Sequence, residues 1–216
     1  MKNETTDTLN AAGTPLPRAA YVHVPFCRHR CGYCDFSLVA GRDDLVADYL
    51  AAIERELTRL DAVSDLDPGN ACLELASLYL GGGTPSHLGP DGLKQLFDIL
   101  RTRLVPLPEA EITIEANPQD VTEPLAAAAA ACGTTRVSLG AQSLDTTTLA
   151  ALDRDHTPDD VRRAVDILLN RGFTVSVDLM TAAPSQAPFP MTISSLVISC
   201  VRMSPSGAVP WLQSIR

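Results

Sequence analysis

The chain has 216 residues, enough for one domain with a well-buried core, and its 45% hydrophobic and 20% charged content is ordinary for a globular protein. Its 17 Lys+Arg against 26 Asp+Glu leave a formal net charge of -9. That excludes a general nucleic-acid binder and disfavours adhesion to an anionic membrane, since both need a surplus of cations.

Residues 1–18 are polar, carry Gly13, Pro15 and Pro17, and are expected to be a disordered lead-in. No charged-then-apolar signal segment opens the chain. No apolar run reaches the roughly 18 residues needed to cross a bilayer. A cytoplasmic protein with no membrane span is expected.

From Ala19 onward, strand-like and helix-like segments alternate. Ala20–Val24 is a short β-rich run stopped by Pro25. Asp44–Leu60 has apolar residues at Leu45, Val46, Tyr49, Leu50, Ile53, Leu57 and Leu60, an amphipathic helical spacing with Asp43 or Asp44 near its N-cap. Leu73–Leu80 predicts a second strand, ended by Gly81, Gly82 and Gly83; Asp91–Leu104 predicts a helix with Pro90 at its first turn. Glu111–Ala116 alternates as a strand and stops at Asn117-Pro118, and Glu123–Cys132 is an alanine-rich helix capped by Gly133. Arg136–Leu139 is a fourth strand, Thr146–Leu152 and Pro158–Arg171 are helices, and Phe173–Leu179 is a fifth strand. Five β units separated by helices imply a parallel sheet with right-handed crossovers, either a barrel or an open doubly wound sheet. In both, the site forms at the carboxyl ends of the strands, where the notable polar groups of this chain fall.

The last segment breaks the pattern. No Asp or Glu follows Asp178, and residues 187–216 are rich in Ser and Pro without a helical or strand period. They read either as an irregular tail or as the product of a frameshift or truncation.

Three of the six cysteines, Cys27, Cys31 and Cys34, lie within eight residues as C-x3-C-x2-C, a ligand pattern rather than a disulfide pattern. Thiolates suit an iron–sulfur cluster or zinc. Three protein ligands on a four-iron cluster leave one iron open to chelate a small molecule. The alternative is a structural zinc site with His23, His29 or Asp35 as fourth ligand, although no second ligand pair accompanies it. The run Gly81-Gly82-Gly83-Thr84-Pro85 lets a ligand approach the backbone without obstruction by Cβ atoms but lacks the phosphate-loop pattern. His87 and His156 read as surface or loop residues, and Cys72, Cys132 and Cys200 as small buried hydrophobes.

Taken together, Tyr21-Val-His-Val-Pro-Phe-Cys27, Cys31-Gly-Tyr-Cys34-Asp35-Phe36, Gly81–Pro85, Ile114–Pro118, Arg136–Ser143 and Asp178–Met180 resemble the radical S-adenosylmethionine superfamily. Within it, they are most similar to the oxygen-independent coproporphyrinogen III oxidase family and its heme-chaperone branch. The resemblance covers about residues 19–186 and implies a partial (β/α)6 barrel that breaks off after the fifth strand. It implies that Cys27, Cys31 and Cys34 ligate a 4Fe–4S cluster. Tyr21, Tyr33, Gly82, Gly83, Thr84, Glu115, Gln142, Arg154 and Asp178 would contact S-adenosylmethionine. An electron donor would reduce the cluster, cleaving the sulfonium to a 5′-deoxyadenosyl radical; no catalytic side chain is assigned.

Phe36 stands where the oxidases of the family carry a further cysteine, so the heme-chaperone branch is favoured over porphyrinogen oxidation. Heme is the expected cofactor of a full-length protein, although the chaperone branch's His-Asn-Arg-x-Tyr-Trp motif does not occur here. Thr181-Ala-Ala-Pro184-Ser-Gln186 keeps only Pro184 and Gln186 of the family stretch that follows the fifth strand. A non-functional fragment is the third alternative.

Overall fold

Residues 16–63, 72–180 and 198–203 are described by the structure, a computed structural model. The parallel strands are β1 (Ala19–Val24), β4 (Leu73–Gly82), β5 (Leu104–Ala116), β6 (Arg136–Gln142) and β7 (Thr174–Met180). They lie side by side in that order. Two short strands, β2 (Phe26–Cys27) and β3 (Val39–Ala40), form a separate parallel pair in the cysteine loop. Neither was legible as a strand in the sequence.

The consecutive order decides between the two architectures. A doubly wound sheet reverses direction at a switch point, whereas a barrel adds each strand beside the last. Helices α1 (Val46–Val63), α2 (Gly89–Leu100), α3 (Glu123–Ala131) and α5 (Pro158–Asn170) accordingly form a continuous layer, α1 on α2, α2 on α3 and α3 on α5. A short α4 (Thr146–Ala151) precedes α5.

Strand periodicity then divides the sheet. Leu78, Leu80, Ile112, Ile114, Val137, Leu139, Val175 and Val177 are buried and share one parity in the register. They meet Leu93, Leu96 and Phe97 of α2, Leu125 of α3 and Val161, Ala164 and Leu168 of α5 in a single core. The opposite parity carries Tyr21, Tyr79, Glu111, Thr113, Glu115, Arg136, Ser138, Ser176 and Asp178. One face is thus an apolar floor for the helices and the other a polar lining.

Several boundaries differ from the sequence reading. The carboxylates of Asp43 and Asp44 do not cap α1: Asp43 pairs with His87 at 2.9 Å and Asp44 with Arg42 at 2.8 Å, and a 3-10 turn over Asp43–Leu45 leads into the helix. α2 stops at Leu100 because Leu104 already begins β5, pairing with Leu73. The start of β5 is masked in sequence by Pro106 and Pro108. The ladder slips there, from Leu75 opposite Pro106 to Ser77 opposite Glu111, as proline without an N–H requires.

The tail, expected to be without strand structure, supplies β8 (Ile198–Met203), which runs antiparallel along β7 with Asp178 opposite Cys200. The frameshift-or-truncation reading otherwise falls on residues 187–197 and 204–216, outside the described residues. The expected lead-in 1–18 is described only from Leu16, where the Arg18 carbonyl accepts from the Ala76 and Ser77 amides. Among the described residues, no helix is long and apolar enough to cross a membrane.

Leu139 is fully buried at the centre of β6, between the helix layer and two neighbouring strands. Leu139→Ala is expected to remove about 2–5 kcal/mol of stability, a large part of a domain's usual margin. Urea denaturation followed by circular dichroism should show the unfolding free energy falling by that amount, with a correspondingly lower midpoint.

Candidate functional site

The cysteine loop leaves β1 at Pro25 and is built by backbone contacts. Val39 N donates to Pro25 O at 2.8 Å, Gly41 N to Cys27 O at 3.0 Å and Cys34 N to Cys31 O at 3.0 Å. Phe26 is buried and meets the Tyr49 ring edge-on at 5.3 Å, while Tyr49 Oη donates to His23 O at 2.9 Å. His23 Nε2 reaches Ser37 O at 2.7 Å, closing the loop from its far side.

The glycine run docks on the same segment. Gly83 N donates to Val24 O at 2.8 Å and Thr84 N to Phe26 O at 2.7 Å. A Cβ at Gly83 would stand 2.7 Å from Val24 O and Pro25 C. Gly82 has φ +108° and lies under the His23 ring, 2.2 Å from where its own Cβ would be. Glycine is therefore the residue this close approach and backbone angle admit.

Around this frame the expected residues converge. Cys27 Sγ is 3.3 Å from Thr84 Oγ1. Burial pushes the Cys27 thiol up, the Thr84 hydrogen bond opposes that, and the neighbouring Cys34 and Cys31 add to the rise. Cys31 Sγ accepts from Arg154 NH1 at 3.5 Å and lies 3.7 Å from His29 Nε2. Burial raises the Tyr33 hydroxyl to about 12, and the nearby Arg154 guanidinium opposes the rise. The loop's other basic side chains are held by the turns facing it or, for Arg30, within the loop itself. Arg28 pairs with Asp120 at 3.4 Å, His29 Nε2 meets Asp153 O at 2.7 Å, and Arg30 donates to Cys34 O at 3.2 Å.

The polar face of the sheet supplies the carboxylates. Glu115 accepts from Tyr79 Oη at 2.7 Å on one oxygen and from Gly82 N at 3.0 Å on the other. Tyr79 stacks on Tyr21, ring centroids 5.9 Å apart, and Tyr21 keeps 57% of its surface exposed beside them. Asp178 accepts from Ser138 Oγ at 3.2 Å. Burial raises both carboxyls above their ordinary range, and the Asp178 charge adds to the effect on Glu115. Gln142 closes the group from β6 with a left-handed φ of 61°, where the β6–β7 register slips.

Three residues were missed as site members. Asn117, noted in the sequence as a strand stop and as a polar group at the end of its strand but given no binding role, links the two sides. Its Oδ1 accepts from Arg154 at 2.6 Å, its Nδ2 donates to Thr84 Oγ1 at 3.3 Å, and its own amide donates to Ser86 Oγ at 3.1 Å. Tyr79 read as a strand residue, although its place two residues before the glycine run is a signal that could have been used. His156, expected at the surface or in a loop, lies in a loop but is buried, and its Nε2 is 2.9 Å from Ala141 O. Cys132 is buried as expected; Cys72 is exposed instead, at a cavity of about 300 Å3 lined by Leu16, Arg18, Glu74 and Val105 at the opposite end of the sheet. The side chain of Cys200 lies outside the described residues.

Among the described residues, no three His, Cys, Asp or Glu side chains close around a single ion. Three soft thiols on one short loop, beside an arginine and a threonine that hydrogen-bond sulfur, are a donor set of the kind that suits an iron–sulfur cluster.

A parallel sheet in consecutive order with a thiol loop after its first strand defines a partial barrel with three cysteines at the carboxyl end of its strands. The chain belongs to the Radical SAM superfamily, whose family model matches residues 21–188. It is 37% identical to the heme chaperone HemW of Mycobacterium tuberculosis over 79% of this chain and 43% of that protein. It is 31% identical to the oxygen-independent coproporphyrinogen III oxidase of Bradyrhizobium diazoefficiens, over 77% of this chain and 36% of that one. The solved coproporphyrinogen III oxidase HemN of Escherichia coli, a radical SAM enzyme, superposes with a TM-score of 0.69 at 26% identity, covering 78% of this chain and 38% of that one. The chain thus spans less than half the length of these relatives.

Glu115 provides a pH test. Its folded-state pKa lies above the ordinary 4.5, so the stability tied to its protonated form is present below that value and is lost as pH rises through the raised pKa. Glu115→Gln removes this dependence. The stability of wild type relative to E115Q, from urea melts, should fall as pH rises from the ordinary carboxylate range to neutrality; a constant difference would contradict the raised pKa.

Proposed function

We propose that Cys27, Cys31 and Cys34 hold a 4Fe–4S cluster and that S-adenosylmethionine binds beside it. The observation that carries this is the docking of the glycine run on residues 24–26, which sets the cysteine loop and Glu115 on one mouth of the sheet. Membership of the Radical SAM superfamily favours the iron–sulfur alternative over the zinc alternative that the spacing left open.

When bound, the cluster supplies the electron for reductive cleavage of S-adenosylmethionine. The chain's own residues bind and orient. Backbone groups at Gly82 and Gly83 are unobstructed by side chains of their own, and Glu115, held on both oxygens, presents an oriented acceptor for hydroxyls. Exposed Tyr21 offers an aromatic face. Tyr33, Thr84, Gln142, Arg154 and Asp178 complete the wall, with Thr84 turned onto Cys27 and Arg154 onto Cys31.

For the whole protein we propose heme handling of the heme-chaperone kind. Phe36, 65% exposed on the loop next to Cys34, supports it, as does the likeness to proteins named heme chaperone HemW. The likeness to proteins named coproporphyrinogen III oxidase supports a second reading, in which the protein oxidatively decarboxylates propionate side chains.

After anaerobic reconstitution with iron and sulfide, the chain should hold about four irons, and Cys→Ala at any of the three positions should abolish the cluster and S-adenosylmethionine binding. Wild type that takes up no iron would overturn the assignment. Heme titration of the cluster-loaded protein should give a saturable Soret shift. A featureless titration together with vinyl products from coproporphyrinogen III would transfer the assignment to the oxidase reading.

A further inference from the structure

Arg154 directs its donors into the protein. NH2 donates to Asn117 Oδ1 at 2.6 Å and to Gly140 O at 2.9 Å, and NH1 donates to Cys31 Sγ at 3.5 Å. Its Nε is buried without a partner among the described residues. A guanidinium anchored on a backbone carbonyl and on the side-chain amide of Asn117 has little freedom to swing, so its position against the sulfur is set by the fold. The anchor extends further: Asn117 Nδ2 donates to Thr84 Oγ1, which lies 3.3 Å from Cys27 Sγ. One hydrogen-bonded chain, Cys31–Arg154–Asn117–Thr84–Cys27, therefore joins two of the three thiols across four separate loops.

We propose that Arg154 is a positioning residue for the Cys31 sulfur and raises the reduction potential of the cluster bound there, with Asn117 holding the guanidinium in place. The proposal rests on the cluster assignment above. Reduction adds one electron from an external one-electron donor to the cluster, and part of that charge resides on the ligating sulfurs. A cationic N–H donor to sulfur stabilises the reduced form more than the oxidised form, and partial burial strengthens the effect. A contact to S-adenosylmethionine alone would leave the potential of the cofactor-free protein unchanged, which separates this role from the one expected by resemblance.

The test is an electron-paramagnetic-resonance redox titration of the reconstituted full chain with dithionite, in the absence of S-adenosylmethionine. Arg154→Gln should shift the midpoint to a more negative potential at unchanged iron and sulfide content, and Arg154→Lys should fall between the two. A midpoint equal to wild type in R154Q overturns the proposal. Should R154Q fail to hold the cluster, Asn117→Ala, which removes one of the two anchors and leaves the guanidinium held by the Gly140 carbonyl alone, should lower the midpoint in the same direction, and an unchanged midpoint there also overturns it. A wild-type chain that takes up no cluster refutes the assignment itself, whereas a normal cluster with an unmoved R154Q midpoint refutes only the role of Arg154.

Discussion

The close approach of two backbones determines most of the site. Gly83 and Thr84 donate to the carbonyls of Val24 and Phe26, and a side chain at Gly83 would collide with that segment. Because β1 and β4 are parallel neighbours, their carboxyl ends arrive together, and these two bonds fasten the segments that leave them. Thr84 then falls against Cys27, and the amide of Gly82 falls within reach of Glu115. The side chains follow from a contact made by the main chain, which tolerates no Cβ.

Charge is partitioned around that contact. Glu115 and Asp178 lie on the polar face of the sheet, both buried enough to be raised, with Tyr79 and Ser138 as fixed donors. The cysteine loop opposite carries Arg28, His29 and Arg30, held by Asp120, the Asp153 carbonyl and the Cys34 carbonyl. In a chain of net charge -9 this is a local gathering of basic side chains. The Asp120 carboxylate and the Asp153 carbonyl orient Arg28 and His29, while Arg154 of the 153–156 turn reaches the Cys31 sulfur itself.

The alternation of strands and helices along the chain was legible in the sequence because it rests on local periodicity or on a Gly or Pro stop, whereas the order of the strands in the sheet was left open between a barrel and a doubly wound sheet. What was hidden depends on contacts between distant segments. Asn117 looks like a chain terminator until Arg154 and Thr84 are brought to its two ends. His156 reads as a loop residue, yet it is buried by its bond to Ala141, a contact local periodicity does not report. Asp43 and Asp44 have the right spacing for a cap, but His87 and Arg42 compete for them. The prolines at the start of β5 suppressed a strand signal that pairing with β4 restores through an irregular register.

The end of β6 shows the same logic as the glycine run. Gln142 occupies the left-handed region, a conformation costing on the order of 1–2 kcal/mol for a residue with a Cβ. The slip in the β6–β7 ladder and the His156 contact to Ala141 hold the chain there. The consequence lies two residues back. The carbonyl of Gly140 accepts from Arg154, while a Cβ at that position would press to 3.2 Å on Gln142 Nε2 and approach Asn117 Oδ1 and Arg154 NH2. A missing side chain again allows polar groups to converge, here around the arginine that faces Cys31. Glycines at the ends of two different strands thus do what no single binding residue does: they let backbone carbonyls and amides fix the side chains that surround the thiols. A substitution at Gly83 or Gly140 therefore acts on the cysteines at a distance, through the threonine and the arginine that these close approaches hold in place.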